Sequence, residues 1–335
     1  MPALLLALTL LAAGGLQSEL IFQPSPKLPS NHASTLAVMP NGDLLCAWYA
    51  GRFEGSRDVK IYASRLEAKN GHATGAWSSP EVIADTPDRS DGNPVLFVDQ
   101  RGQLQLFFVT IHGLDWKWAK IKVQTSPDRG LTWGPTTILR NRRGWMTRNH
   151  PLELNDGSLL LPLYNEVRMR SVFMLSNDAG ASWQPAGEIR TRPGNLQPAV
   201  VQLADGTLLS LMRCRHKAGR IWQATSPDHG RTWSPAAATA LPNPDAGIDL
   251  ARLPNGHLVL AFNNSPTQRT PLSMALSEDD GRTWPFVRDL ETDPGEYSYP
   301  SLAVTPGGVI HLTYTWKRKS IKHALLTEDW IKTGR

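Results

Sequence analysis

Cysteine is nearly absent: Cys46 and Cys214 are the only two in 335 residues. Both sit inside apolar, strand-like runs, LLCAW and LMRCR, which reads as two buried free thiols rather than a disulfide framework. After the first residues no apolar run is long enough to cross a bilayer, which excludes stable membrane insertion. An acidic surplus is missing too. Lys and Arg number 35 against 30 Asp and Glu, a net charge of +5 that favours an anionic partner. Two basic stretches stand out, RNRRGWMTR at 140–148 and KRKSIK at 317–322. The plain reading of each is a solvated loop or strand edge, and the functional one is attraction of an anionic substrate. No nucleic-acid module signature accompanies them, so no nucleic-acid partner is expected. The nine histidines lack zinc-ligand spacing and no Ca²⁺ loop is present, so neither metal nor cofactor is expected.

The chain begins MPALLLALTLLAAGG, an apolar run ending in small residues. It reads as a signal peptide over residues 1–18, cut after Gly14 or a little later, although no Lys or Arg precedes the apolar part. The alternative is a buried N-terminal strand. The leader implies a secreted or periplasmic protein whose residues 19–335 form one domain, expected to be a monomer.

A unit recurs six times: a short apolar strand, a turn with glycine, and a second apolar strand. The copies include STLAVMPNGDLLCAW at 34–48, QPAVVQLADGTLLSLMR at 197–213 and YPSLAVTPGGVIHLTYTW at 299–316. The turn glycines are Gly42, Gly102, Gly157, Gly206, Gly256 and Gly308, about 50 to 60 residues apart, the scale of a propeller blade. Asn-Gly and Asp-Gly suit tight hairpins, and Val, Leu and Ile suit a sheet buried on both faces. One hairpin cannot bury its faces alone, whereas six stacked around an axis can. The expected fold is all-β, a six-bladed β-propeller with four-stranded antiparallel blades.

A second motif, S-x-D-x-G-x-[TS]-W, occurs at 126–133, 176–183, 226–233 and 277–284, each time after the second strand of a unit. Its Asp accepts turn N–H groups, its Gly takes the left-handed conformation and its Trp plugs a gap. Worn copies end at Trp77 and Trp330. This motif is the Asp box, and with it the chain resembles the sialidase (neuraminidase) superfamily over nearly all of its mature length. The boxes are structural and lie away from any catalytic face.

The resemblance implies an exo-acting glycosidase for a terminal anionic sugar, with arginines clamping a carboxylate, a tyrosine nucleophile, a glutamate that activates it and an aspartate as acid/base. GEYSYPSLAV is similar to the nucleophile's strand opening and puts Tyr299 there, with Tyr297 as runner-up on the same strand face. Arg213 and Arg269 are similar in position to the second and third clamp arginines, and Asp58 to the acid/base. The chain departs from the pattern twice: His32 stands where the first clamp arginine is normal, and Gln197 where the activating glutamate is. Glu166 and Glu296 are substitutes for that glutamate, though a regular strand turns Glu296 away from both tyrosines.

The openings of the six units are expected to line one rim of the channel. They present His32, Asn93, His150, Gln197, Asp249 and Tyr299, with Asp91 and Arg148 close by. Histidine with tyrosine also performs acid/base work beside a uronate carboxylate. This set is similar to that of sialidase-like propellers that cleave rhamnose from glucuronate or act as lyases, which makes a rhamnosidase or lyase acting on uronate-containing polysaccharide the alternative, with a non-catalytic glycan-binding propeller as a third. In every case the expected partner is a glycan, most naturally an anionic one.

Overall fold

The computed structural model of the chain describes residues 15–69, 72–215 and 218–334. Residues 1–14 of the expected leader lie outside the described residues. Gln17 and Ser18, which the sequence reading puts within the leader, belong to a strand, Gln17–Leu20, paired antiparallel with Ser320–Leu326. A cut after Gly14 leaves that strand whole, whereas one after Ser18 removes half of it.

Six sheets form the blades of a β-propeller. Blade 1 runs outward from the axis through Ser30–Val38, Leu44–Gly51, Lys60–Leu66 and Glu81–Ala84. Blade 2 takes Asp91–Val98, Leu104–Ile111, Ala119–Ser126 and Thr137–Arg140. In blade 3 the inner strand is broken into Trp145–Thr147 and Leu152–Glu153, both paired with Leu159–Asn165, and Arg170–Ser176 and Gln184–Ile189 follow. Blade 4 takes Asn195–Gln202, Leu208–Cys214, Arg220–Ser226 and Ala237–Pro242. Blade 5 takes Asp249–Arg252, Leu258–Asn263, Leu272–Ser277 and Phe286–Glu291. Blade 6 has Tyr297–Val304, Ile310–Trp316 and Ser320–Leu326 from the end of the chain, and its outer strand, Gln17–Leu20, comes from the start. Joining the two ends of the chain in one sheet closes the ring and protects its last edge.

The six expected turn glycines all take left-handed φ, between 78° and 95°. The Asp boxes fall one strand further out than expected, because the box serine ends the third strand of its blade and the box leads into the fourth. The geometry repeats faithfully. Asp128 accepts from Thr132 N at 2.7 Å and Thr132 Oγ1 at 2.6 Å, and Gly130 N donates to Ser126 Oγ at 2.6 Å. Asp279 does the same with Thr283 at 2.8 and 2.6 Å. The box tryptophans pack onto the preceding blade. Trp183 meets Phe107 edge-on at 6.1 Å and Trp233 stacks on Phe173 at 4.5 Å. Each box thus fastens one blade to the next, adding buried aromatic area to a turn that is locally satisfied. Trp330, read as a worn box, sits instead in a short C-terminal helix, Glu328–Thr333, and is buried against blades 5 and 6. Cys46 and Cys214 are both free and buried.

Candidate active site

Four of the six inner strands carry the same irregularity at their first residues. The register slips between His32 and Thr35, Gly92 and Val95, Leu196 and Ala199, and Ser298 and Ser301. Inside each slip one residue takes left-handed φ: Ala33 at 54°, Asn93 at 45°, Gln197 at 55° and Tyr299 at 54°. In three of the four, proline follows and has no N–H to give to the ladder, so the extra residue bulges where pairing is already interrupted. The bulge re-aims one side chain per blade. Asn93, Gln197 and Tyr299 converge on a single cavity of about 230 Å³ that also meets Tyr49, Glu54, Trp116, Tyr164, Glu166, Arg213, Arg215, Arg269 and Arg318. Its size suits about one sugar ring.

Tyr299 is the centre of this cavity. Arg213 Nη1 donates to Tyr299 Oη at 3.0 Å and to Gln197 Oε1 at 3.1 Å, while Arg213 Nε binds Asp245 at 2.8 Å. The Arg269 guanidinium lies 5.5 Å from the Tyr299 ring centre and Arg148 lies 5.2 Å from it. Burial alone would raise the phenol's pKa, but the charges of Arg213 and Arg269 outweigh it and hold Tyr299 below the usual tyrosine range. Tyr164, also buried, moves the other way, since burial raises its pKa. Its hydroxyl receives Asn93 Nδ2 at 3.1 Å and Gln197 Nε2 at 3.4 Å.

His32 does not line the cavity. It lies one residue ahead of its blade's bulge, is buried, and packs its ring 4.3 Å from that of Tyr299. Arg318 Nη2 approaches His32 Nε2 at 3.3 Å, and Thr315 Oγ1 lies 2.9 Å from Nδ1. Since the guanidinium only donates, Nε2 is the acceptor and Nδ1–H donates to Thr315. Burial, then the charge of Arg318, holds the His32 pKa well below the ordinary value. Sequence reasoning missed Tyr49, Glu54, Trp116, Tyr164 and Arg215 of the lining, and above all Arg318. Arg318 sits in the turn between the second and third strands of blade 6 and adds a further guanidinium to the cavity beside Arg213, Arg215 and Arg269. Its only sequence signal is the basic stretch 317–322. Glu296 Oε1 accepts from Arg269 at 2.7 Å and Glu296 Oε2 from Arg318 at 2.9 Å. Glu54 accepts from Arg318 at 2.7 Å.

The remaining candidates lie elsewhere. Tyr297 faces the core between blades 5 and 6, because the bulge after Ser298 breaks the alternation that would have put it beside Tyr299. Asp91 is buried and bonded to Thr86 and Thr110, tying down the loop into blade 2. Arg148 is a buried plug across the channel. From the break in blade 3 it donates to Ser34 O at 3.2 Å and Pro300 O at 2.7 Å. His150 and Asp249 line a separate cavity at the other mouth, where His150 Nε2 is 2.9 Å from Ser301 Oγ and 3.9 Å from Asp249. The unit openings therefore do not share one rim. Asp58 is half-exposed, with its carboxylate turned to Arg52 N and Ser56, while Glu54 of the same loop lines the cavity. Glu166 also lines it, and burial raises its pKa above the usual carboxyl range. Away from the cavity, His257, Glu278 and Glu328 bring ligand-type atoms within 4.8 Å of one another. Lys332 Nζ already sits 2.5 Å from Glu278 and 2.6 Å from Glu328 and supplies the cation there.

The BNR repeat-like domain family matches residues 42–312. A sialidase from Micromonospora viridifaciens is 28% identical over 344 aligned residues, covering 90% of this chain and 52% of the relative. An anhydrosialidase from Macrobdella decora is 26% identical over 190 residues, 50% of this chain and 25% of that protein. The chain thus spans about half the length, or less, of these curated relatives. Among solved structures, an intramolecular trans-sialidase from Ruminococcus gnavus superposes with a TM-score of 0.76 at 16% identity, covering 94% of this chain and 98% of that one, a likeness of fold.

Proposed function

From the premise that this chain belongs to the sialidase superfamily of BNR-repeat propellers, we propose that it is an exo-acting glycosidase releasing a terminal anionic sugar through Tyr299. The observation that carries the reading is the Tyr299 hydroxyl bonded to Arg213 in a one-sugar cavity that also holds Arg269 and Arg318. A sugar carboxylate would compete with Asp245, Glu296 and Glu54 for these guanidiniums, whose planar forks match it bidentately. In place of the missing first arginine, Arg318 reaches in from blade 6 and leans on His32.

In this reading burial opposes ionisation of the phenol, and the charges of Arg213 and Arg269 outweigh it and ease the loss of its proton. Gln197 cannot take the proton. It accepts from Arg213 instead and helps aim that guanidinium at Tyr299. Tyr299 Oη gives its proton to solvent and attacks the anomeric carbon, the bond to the leaving oxygen breaks as a carboxylic acid protonates that oxygen, and a water then displaces Tyr299 from the anomeric carbon and returns a proton to the carboxylate. We assign this proton to Glu166, whose burial keeps it protonated to higher pH. Asp58, the acid that the family pattern suggests, is the competing assignment. The apolar leader supports a secreted or periplasmic enzyme. The uronate lyase reading gains no support, since His32 is sealed behind Tyr299 and His150 opens to the opposite mouth.

A fluorogenic sialoside tests the proposal. Wild-type protein should release the fluorophore and Tyr299→Phe should lose about 10³-fold in kcat. Full turnover by the variant would remove Tyr299 from the chemistry, and an inert wild type would leave a binding module.

A further inference from the structure

One side of the cavity mouth is built from two loops with unusual surface chemistry. In the first, residues 112–118, a single 3-10 turn over Trp116–Trp118 is capped by Asp115, which accepts from Lys117 N at 3.0 Å. The turn sends its two tryptophans in different directions. Trp116 faces the sugar cavity and lies on Gly92, where a Cβ would come within 2.6 Å of its ring. Trp118 faces outward, is 45% exposed, and rests on Gly113, where a Cβ would come within 2.4 Å. Two glycines thus make the seats for one inward and one outward indole.

The second segment, from the strand end at Arg140 to Gly144, lays cations on Trp118 and on Trp145. The Arg143 guanidinium sits 4.1 Å from the Trp118 ring centre, and Arg140 sits 4.7 Å from that of Trp145. Gly144 O accepts from Glu166 N at 2.7 Å, which joins this loop directly to a wall of the cavity. Among the described residues, no carboxylate lies within ion-pair distance of Lys117, Arg142, Arg143 or Arg168. Arg140 Nε is buried with no acceptor. The other arginine cluster, inside the cavity, is fully paired with Asp245, Glu296 and Glu54. The rim is therefore a set of pre-stacked guanidiniums and an open indole face whose cations have no ion-pair partner among the described residues, beside a cavity that takes one sugar.

We infer that this Trp118–Arg143 rim is a docking platform for an anionic glycan chain, sulfated or uronate-containing, whose terminal sugar enters the cavity. It rests on the glycosidase reading for what lies in the cavity and adds what lies outside it. A sugar ring presents C–H faces that pack on an exposed indole, and sulfate or carboxylate groups match the flat, donor-rich guanidiniums. Stacking on tryptophan holds Arg143 in place, so less side-chain freedom is lost when the anion binds.

The test uses full-length protein and chondroitin sulfate chains as the probe, with binding read by anisotropy across a salt series. A single-stranded oligonucleotide and phosphatidylserine vesicles of comparable charge serve as rival polyanions. The double variant Arg142→Ala/Arg143→Ala should weaken chondroitin sulfate binding about 10-fold and flatten its salt dependence by about two released ions. Trp118→Ala should weaken it several-fold without changing the salt dependence. Both variants should turn over a small fluorogenic sialoside as wild type does. Wild-type affinity in the double variant overturns the inference, as does tighter binding of the oligonucleotide or the vesicles than of the glycan. An inert sialoside with intact, variant-sensitive glycan binding sinks the cavity reading and leaves the platform. Sialoside turnover without glycan binding does the reverse.

Discussion

The Asp-box turns and the central cavity both depend on polar side chains, and they satisfy them over very different distances along the chain. In each box the aspartate binds partners two and four residues away, as Asp128 does with Ser126 and Thr132. In the cavity Arg213 reaches Tyr299 across 86 residues, and in the channel beside it Arg148 reaches Ser34 across 114 and Pro300 across 152. A box is a local solution repeated four times, while the cavity is a single solution that needs the closed ring. Damage to a box should therefore cost stability and spare chemistry, and damage to the cavity should do the opposite.

The largest effect that sharpens this contrast is expected at Arg213. Its removal leaves Tyr299 and Gln197 without their shared donor and Asp245 without its closest cation. Arg213→Ala removes the guanidinium bonded to the reacting hydroxyl and aimed at the sugar carboxylate, so it should lower kcat/KM about 10³-fold. A sialoside assay with circular dichroism as a fold control checks this. A folded variant with near-normal turnover would detach the clamp from catalysis.

Next in size is the proton donor. Glu166→Gln should lower kcat about 10²-fold and flatten the limb of the pH–rate profile where the acid must be protonated. Asp58→Asn should then have little effect. The reverse result moves the role to the loop that carries Glu54 and Asp58 and brings this chain closer to the family pattern.

A smaller effect is expected at the rim of the ring. Asp279→Ala removes the acceptor for Thr283 N, Thr283 Oγ1 and Ser277 Oγ in a solvent-facing turn. The expected loss is about 1 kcal/mol, near the low end for a capping residue because water replaces part of what is lost. Thermal melting should show a shift of about 2 °C, with kcat unchanged. A change in kcat would break the separation between box and cavity.

The same separation explains what the sequence made legible. The six glycine turns and four boxes fixed architecture and blade number, since each signal is complete within a few residues. Tyr299, Arg213 and Arg269 could be matched to a family pattern because their places in the repeat are regular. Three things were not legible. The bulge at Tyr299 throws Tyr297 into the core, and no alternation rule contains a left-handed residue before a proline. The break in blade 3 takes His150 to the opposite mouth and turns Arg148 into a plug, although both follow a repeat-like opening. Arg318 enters from a hairpin turn that the repeat treats as exterior, and its partners His32, Glu54 and Glu296 lie in two other parts of the chain. The His-Pro, Gln-Pro and Tyr-Pro openings were the available hint that these strands do not start regularly.

The smallest effect is a pH dependence that isolates the boxes. Asp128 and Asp178 are both held down to about 2, chiefly by the hydroxyl and N–H of Thr132 and Ser182. Their unfolded value is about 3.9. A depressed carboxylate contributes stability that is fully present above the unfolded value and fades as pH falls through the folded one, here between about pH 4 and pH 2. Glu296, which holds two of the cavity arginines, is kept low as well, so the wild-type acid transition mixes box and cavity. The difference between proteins separates them. Asp128→Asn/Asp178→Asn should melt below wild type at about pH 6, and the gap should narrow as pH drops toward about 2, because protonation has by then cost the wild type the same carboxylates. A gap that stays constant with pH would mean that the box aspartates act through shape rather than charge, and the contrast between a charge-satisfied rim and a charge-driven cavity would have to be redrawn.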